Sequence, residues 1–259
     1  MDINEIRAKS GFLCDMDGVI YQGDRLIDGV ADFVNWLNEN EKSYLFLTNA
    51  SSKSPRELRM KLARLGLDVG EEHFYTSALA TAKFLASQDR GCSAYVIGEP
   101  GLVGALYDEG IAMNDVDPDY VVVGESRSYN YDSILRAVRL VQRGARLIGT
   151  NPDLTGPDES GIIPACRAFV APIEMTTGKH AYFIGKPNAL MMRTGLDLLG
   201  EHSKNSVMIG DRMDTDIIAG IETGLSTVLV MTGVSTRATI EEYPYRPSVV
   251  VDRVADIVG

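Results

Sequence analysis

Two aspartates two residues apart, Asp15 and Asp17, are followed at once by Gly18. They open a series of five strings whose residue types suit phosphoryl transfer through an aspartate. The others are Thr48-Asn49, Gly185-Lys186-Pro187, Gly210-Asp211 and Thr215-Asp216, in that order along the chain. Together they offer a carboxylate nucleophile, a second carboxylate, hydroxyl and amide donors for phosphate oxygens, a lysine and metal-binding oxygens. In extended geometry residues two apart face the same side, so Asp15 and Asp17 are expected to do so, with Gly18 letting the chain turn away. Two carboxylates that close are unfavourable unless a metal or a shared proton offsets them. Mg²⁺ prefers carboxylate, carbonyl and water oxygens and fits that need.

Each string also has a plainer reading. Asp-x-Asp-Gly is a common surface turn, Thr48-Asn49 could cap a helix, and a lone lysine usually lies in solvent. Lys186 is not a Walker lysine, because no GxxxxGK[ST] string is present. Its expected role is to pair with phosphate and with the nucleophile. Asp211, at the end of an apolar run, reads as a direct metal ligand. Asp216, five residues on, reads as binding through a water or orienting the direct ligands. Asp214 and Thr215 read as helix capping.

Such strings work only if short strands deliver them to one place. Apolar runs at 11–14, 44–47, 94–97, 120–123, 146–148, 182–184, 207–209, 227–230 and 249–251 alternate with helical spacings at 30–37, 55–65, 101–109 and 130–142. That alternation predicts an α/β fold with a parallel, Rossmann-like sheet covered by helices. Ligands of such sheets sit outside the C-terminal ends of the strands, where the five strings fall. The sheet reads as built twice. Residues 1–77 and 181–259 carry the chemistry and are expected to form the catalytic core. Residues 78–180 carry none of it and are expected to form an inserted α/β domain.

The bulk properties narrow the function further. A net charge of −11 with scattered Lys and Arg argues against nucleic acid as a partner. Cys14, Cys92 and Cys166 are far apart and form no CxxC pair, which suits a reducing compartment. No signal-peptide core and no apolar run near the ~20 residues of a membrane span is present. The expected setting is cytoplasmic, without a membrane partner, and the sequence leaves homo-oligomerisation open. His73, His180 and His202 belong to no motif, and Gly98-Glu99-Pro100-Gly101 reads as a strand-to-helix turn rather than a dinucleotide loop.

The order DxDGV, TN, GKP, GDxxxTD resembles the haloacid dehalogenase (HAD) superfamily of phosphatases over essentially the whole chain. The placement of the insert between Thr48-Asn49 and Lys186 is similar to the class with a C2-type cap. Within the insert, Gly124-Glu125-Ser126-Arg127-Ser128-Tyr129-Asn130, Thr150-Asn151-Pro152-Asp153 and Ile163-Pro164-Ala165-Cys166 resemble the NagD-type nucleotide phosphatases. The resemblance implies Asp15 as nucleophile and Asp17 as general acid/base, with the Asp17 main-chain carbonyl also offered to Mg²⁺. It implies Thr48, Asn49 and Lys186 as phosphoryl-binding groups and Asp211 as completing the metal site. The expected activity is Mg²⁺-dependent hydrolysis of a small phosphorylated metabolite through an aspartyl phosphate. A nucleoside 5′-monophosphate such as UMP is the first choice of substrate, and a sugar phosphate the alternative. A non-hydrolytic phospho-accepting regulator is a third reading, disfavoured by Asp17, since a long-lived acyl phosphate needs no base beside it. Leu154-Thr155-Gly156 lacks the histidine that related pyridoxal phosphatases carry after a TNPD-like string.

Overall fold

The structure, a computed structural model, describes residues 1–158 and 161–258. They form two compact units, one of 1–48, 58–75 and 186–259, the other of 49–57 and 76–185.

The first unit is built on a six-stranded sheet. Its order is Val249–Val251, Ser226–Val230, Ser206–Gly210, Gly11–Asp15, Ser43–Thr48 and Phe74–Thr76. The pairings from Val249–Val251 through Ser43–Thr48 are all parallel. Strands of a parallel sheet are covered on both faces, so they read as unbroken apolar runs. Accordingly, every residue of Gly11–Asp15, Ser206–Gly210 and Ser226–Val230 is buried. On one face Phe12, Cys14, Phe46 and Ile209 pack against Phe33, Val34 and Leu37 of the Val30–Glu39 helix. On the other face the Ala189–Leu199 helix comes close enough that a Cβ on Gly195 would touch Leu13, Leu45 and Leu47.

The Gly11–Asp15 strand lies between Ser43–Thr48 and Ser206–Gly210. The chain therefore adds strands first on one side of it and later on the other. At such a switch point the strand-to-helix connections leave in opposite directions and open a crevice at the C-terminal strand ends. Asp15, Thr48 and Asp211 all stand at that edge.

The second unit carries its own sheet, in the order Tyr182–Phe183, Arg146–Gly149, Tyr120–Val123, Ser93–Ile97 and Ala112–Met113, again parallel. Val121, Val123 and Leu147 form its core with the helices Tyr131–Gln142 and Cys166–Thr177. Two strands take places that the sequence pattern does not suggest. Tyr182–Phe183, expected among the strands that lead to the chemistry, instead closes the edge of this second sheet, with Tyr182 opposite Ile148. Phe74–Thr76, which is not among the apolar runs read as strands, supplies the sixth strand of the first sheet. A short apolar run fixes that a strand forms, not which edge it joins. Among the described residues no helix is long and apolar enough to cross a membrane.

Candidate active site

The parallel register sets the site. Asp15 lies opposite Leu47, and Cys14 opposite Ile209, so Thr48 and Asp211 come just beyond the nucleophile candidate on its two flanks. Thr48 is buried there. The Lys186 ammonium bridges two carboxylates, donating to Asp15 Oδ1 at 2.6 Å and to Asp216 Oδ1 at 2.8 Å. Lys186 and Asp216 are fully enclosed, with 2% and 0% exposure.

Asp216 reaches this position because the chain after Asp211 makes one wide turn, Met213–Ile217, in which the Ile217 N–H bonds to Arg212 O. Such π-type turns are rare and collect at functional sites. The turn folds Asp216 back until its Oδ2 accepts from the Arg212 N–H at 3.1 Å. The approach is so close that a Cβ on Gly210 would lie 2.1 Å from Asp216 Cβ. Asp211 is fixed in a similar way. Its Oδ2 accepts from the Val234 N–H at 2.6 Å, and added Cβ atoms on Gly18 and Gly233 would lie 2.6 and 1.9 Å from that oxygen. Gly18 is required twice over, since its φ of +78° is left-handed.

The charges of the cluster do not balance. One carboxylate oxygen each from Asp15, Asp211 and Asp216 lies within 4.8 Å of the other two. Burial pulls the Lys186 pKa down, but Asp15 and Asp216 outweigh it and hold the group above its ordinary value. The carboxyls rise as well. Burial pushes Asp211 up to about 8, reinforced by the charges of Asp15 and Asp216. Burial pushes Asp216 up to about 6 against the pull of Lys186, and raises Asp15 despite the same pull. In an isolated ion pair the carboxylate would fall as the lysine rose. Here one ammonium is shared among three carboxyls, and burial together with their mutual repulsion raises the pKa of each. A hard divalent cation would remove that excess, and carboxylate oxygens are the ligands Mg²⁺ takes. The donor set therefore fits the ion.

The remaining candidates are placed differently. The Asp17 carboxylate lies outside the three-aspartate cluster and accepts from the Tyr21 hydroxyl at 3.1 Å. Burial and the Asp17 charge hold the Tyr21 phenol well above its usual range, so it remains a donor. Asp216, expected to bind through water or to orient other groups, lies within the cluster and is also held by Lys186. Asn49 belongs to the second unit, where its side-chain amide donates to Asp153 Oδ2 at 2.8 Å. Tyr21 and the Val234 amide were not legible as site residues. The signal for Val234 was available, since Thr232-Gly233-Val234 follows another strand of the same sheet edge.

Comparison with known proteins shows the family of the chain. Residues 12–112 match the family model described as haloacid dehalogenase-like hydrolase, and residues 183–257 match a second model for HAD-like hydrolases. Over 246 residues the chain is 48% identical to a dihydroxyacetone phosphatase of Corynebacterium glutamicum, covering 95% of this chain and 90% of that one. It is 42% identical to the ribonucleotide monophosphatase NagD of Escherichia coli K12, covering 95% and 96%. The solved structure of E. coli NagD superposes with a TM-score of 0.91 over 96% of this chain and 98% of that one, at 39% identity.

Proposed function

The chain belongs to the haloacid dehalogenase-like hydrolases and is a phosphoric monoester hydrolase of the NagD type; from that premise we propose that it uses Mg²⁺ and an aspartyl-phosphate intermediate. Asp15 attacks phosphorus in line, and the P–O bond to the leaving group breaks as Asp17 gives that oxygen its proton. Asp17, now a base, takes a proton from the water that hydrolyses the acyl phosphate and frees Asp15. Lys186, Thr48 and Asn49 hold the transferring phosphoryl group. Asp216 keeps the Lys186 ammonium aimed at Asp15, and Tyr21 keeps Asp17 in place. Asp15, Asp211 and the Asp17 main-chain carbonyl would hold Mg²⁺, which when bound supplies positive charge opposite the phosphoryl oxygens.

The observation that carries this reading is the buried Asp15–Lys186–Asp216 bridge beside Asp211. In the same proposal, the unit of residues 1–48, 58–75 and 186–259 acts as the core, and the unit of 49–57 and 76–185, which contains the expected insert 78–180, as the cap that contacts the leaving group. The three cysteines are all free and buried, which supports a cytoplasmic setting. The physiological substrate is a small phosphorylated metabolite. A nucleoside 5′-monophosphate such as UMP is one reading, supported by the cap strings and the likeness to NagD. A small sugar phosphate is the second, favoured by the 48% identity to a dihydroxyacetone phosphatase.

A panel of nucleotides, triose and hexose phosphates, assayed with Mg²⁺ and ranked by kcat/KM, decides between them. The Asp15→Asn variant is expected to lose all measurable turnover while keeping its melting profile. Retained hydrolysis by that variant would remove the aspartyl-phosphate route.

A further inference from the structure

The second unit contains a half-buried carboxylate, Glu125, that forms no salt bridge with a cationic side chain among the described residues, and the mechanism above does not use it. Glu125 follows the Tyr120–Val123 strand and its Gly124. Its Oε2 accepts from the Ser51 hydroxyl at 2.5 Å and from the Ser51 N–H at 3.3 Å. Its Oε1 accepts from Asn151 Nδ2 at 2.7 Å, and the same amide nitrogen donates to the main-chain oxygen of Asn49, also at 2.7 Å. The Ser77 hydroxyl donates to that Asn49 oxygen at 2.6 Å. Ser51, Ser77 and Asn151 are 0–1% exposed.

The surrounding backbone is shaped to allow this contact. A Cβ on Gly124 would lie 2.5 Å from Ser51 Oγ, and one on Gly185 would lie 2.6 Å from Asn49 Oδ1 and 2.8 Å from Asn151 Cβ. Three strand ends of the second sheet thus converge on the 49–51 turn. Buried polar groups with every partner in place fix one geometry, and a missing partner is costly.

We infer that Glu125 and Asn151 are positioning residues: they clamp the 49–51 turn by its main chain so that Asn49 is preset to bind the phosphoryl group. This rests on the phosphate role proposed for Asn49. The clamp acts through Asn49 and touches no reacting atom. Its removal should therefore weaken the hold on phosphate and leave the Asp15–Asp211–Asp216 cluster of the other unit unaltered.

The test uses Asn151→Asp, which sets a carboxylate against Glu125 and the Asn49 carbonyl, together with Glu125→Ala and Glu125→Gln. The substrate is p-nitrophenyl phosphate and the inhibitor orthophosphate. Asn151→Asp and Glu125→Ala are expected to raise the orthophosphate Ki and the KM on the order of 10-fold, as for loss of a hydrogen bond to a charged group. Glu125→Gln, which keeps an acceptor oxygen, should recover part of that loss. The rise in melting temperature caused by Mg²⁺ should match the parent in all three. Should Asn151→Asp not fold, the two Glu125 variants decide alone. A Ki within about 2-fold of the parent in folded variants overturns the clamp. Asn49→Ala is the control: if it raises Ki while the clamp variants do not, only the clamp fails. If Asn49→Ala also leaves Ki in place, the phosphate role of Asn49 fails with it.

Discussion

Lys186 faces three buried carboxylates, and each aspect of its surroundings is set by a shortage of positive charge. Replacing it with methionine would strand Asp15 and Asp216 without their cation. Removing one partner of a buried pair costs about 3–5 kcal/mol, so Lys186→Met should lower the midpoint of thermal or urea unfolding accordingly, besides abolishing turnover. Asp211 gives a pH signature of the metal-free protein. Its carboxyl titrates near 8 in the fold against 3.8 as a free side chain. Between those values the folded state retains a proton that the unfolded chain has released, so stability falls as pH rises through the window. A bound divalent cation cancels that penalty. The Mg²⁺-induced rise in Tm should therefore be small near pH 5 and grow toward pH 8. At 100-fold excess over Kd it should amount to about 2.7 kcal/mol, roughly 5–10 °C for a chain of this size. A Tm shift independent of pH would show that Asp211 does not face the ion.

At the scale of elements, the site is an edge where three parallel strands end, and its precision comes from glycines. Gly210 ends a strand and must leave room for Asp216 returning from the wide turn. Gly210→Ala should displace Asp216 and with it Lys186. Overpacking of this kind costs about 1–3 kcal/mol, and Mg²⁺ titration followed by calorimetry should show weakened affinity as well as reduced stability. Gly233→Ala, aimed at Asp211 Oδ2, should weaken metal binding in the same assay. Tyr21 leaves the Gly18 turn by a short strand and ties Asp17 to it. Tyr21→Phe should reduce kcat by about 10-fold, the usual value of a hydrogen bond to a charged group, with less effect on KM. An unchanged kcat would mean that Asp17 is positioned without it.

Across the whole molecule, the charge of −11 opposes the approach of any phosphorylated anion. Screening should relieve that repulsion, so kcat/KM for a dianionic ester is expected to rise a few-fold between about 10 and 150 mM salt. A fall would mean that the local field of the metal and Lys186 outweighs the rest of the surface. The order of the five strings, the alternation of strands with helices and the gathering of Asp15, Lys186 and Asp211 at one sheet edge were legible in the sequence. Each depends on a few consecutive residues whose period or turn chemistry is local. What no local pattern contains is which strand ends become neighbours. Tyr182–Phe183 joined the second sheet, Phe74–Thr76 completed the first, and Asp216 came up against Gly210 rather than staying behind Asp211. Likewise the hydrogen-bond partners that fix Asp211, Asp17 and the 49–51 turn come from Val234, Tyr21, Glu125 and Asn151, three of them far away in the chain. The kind of chemistry was written in residue types and their order. Its geometry and its charge imbalance were decided by tertiary packing, because burial and close approach are properties of the assembled fold and not of any segment within it.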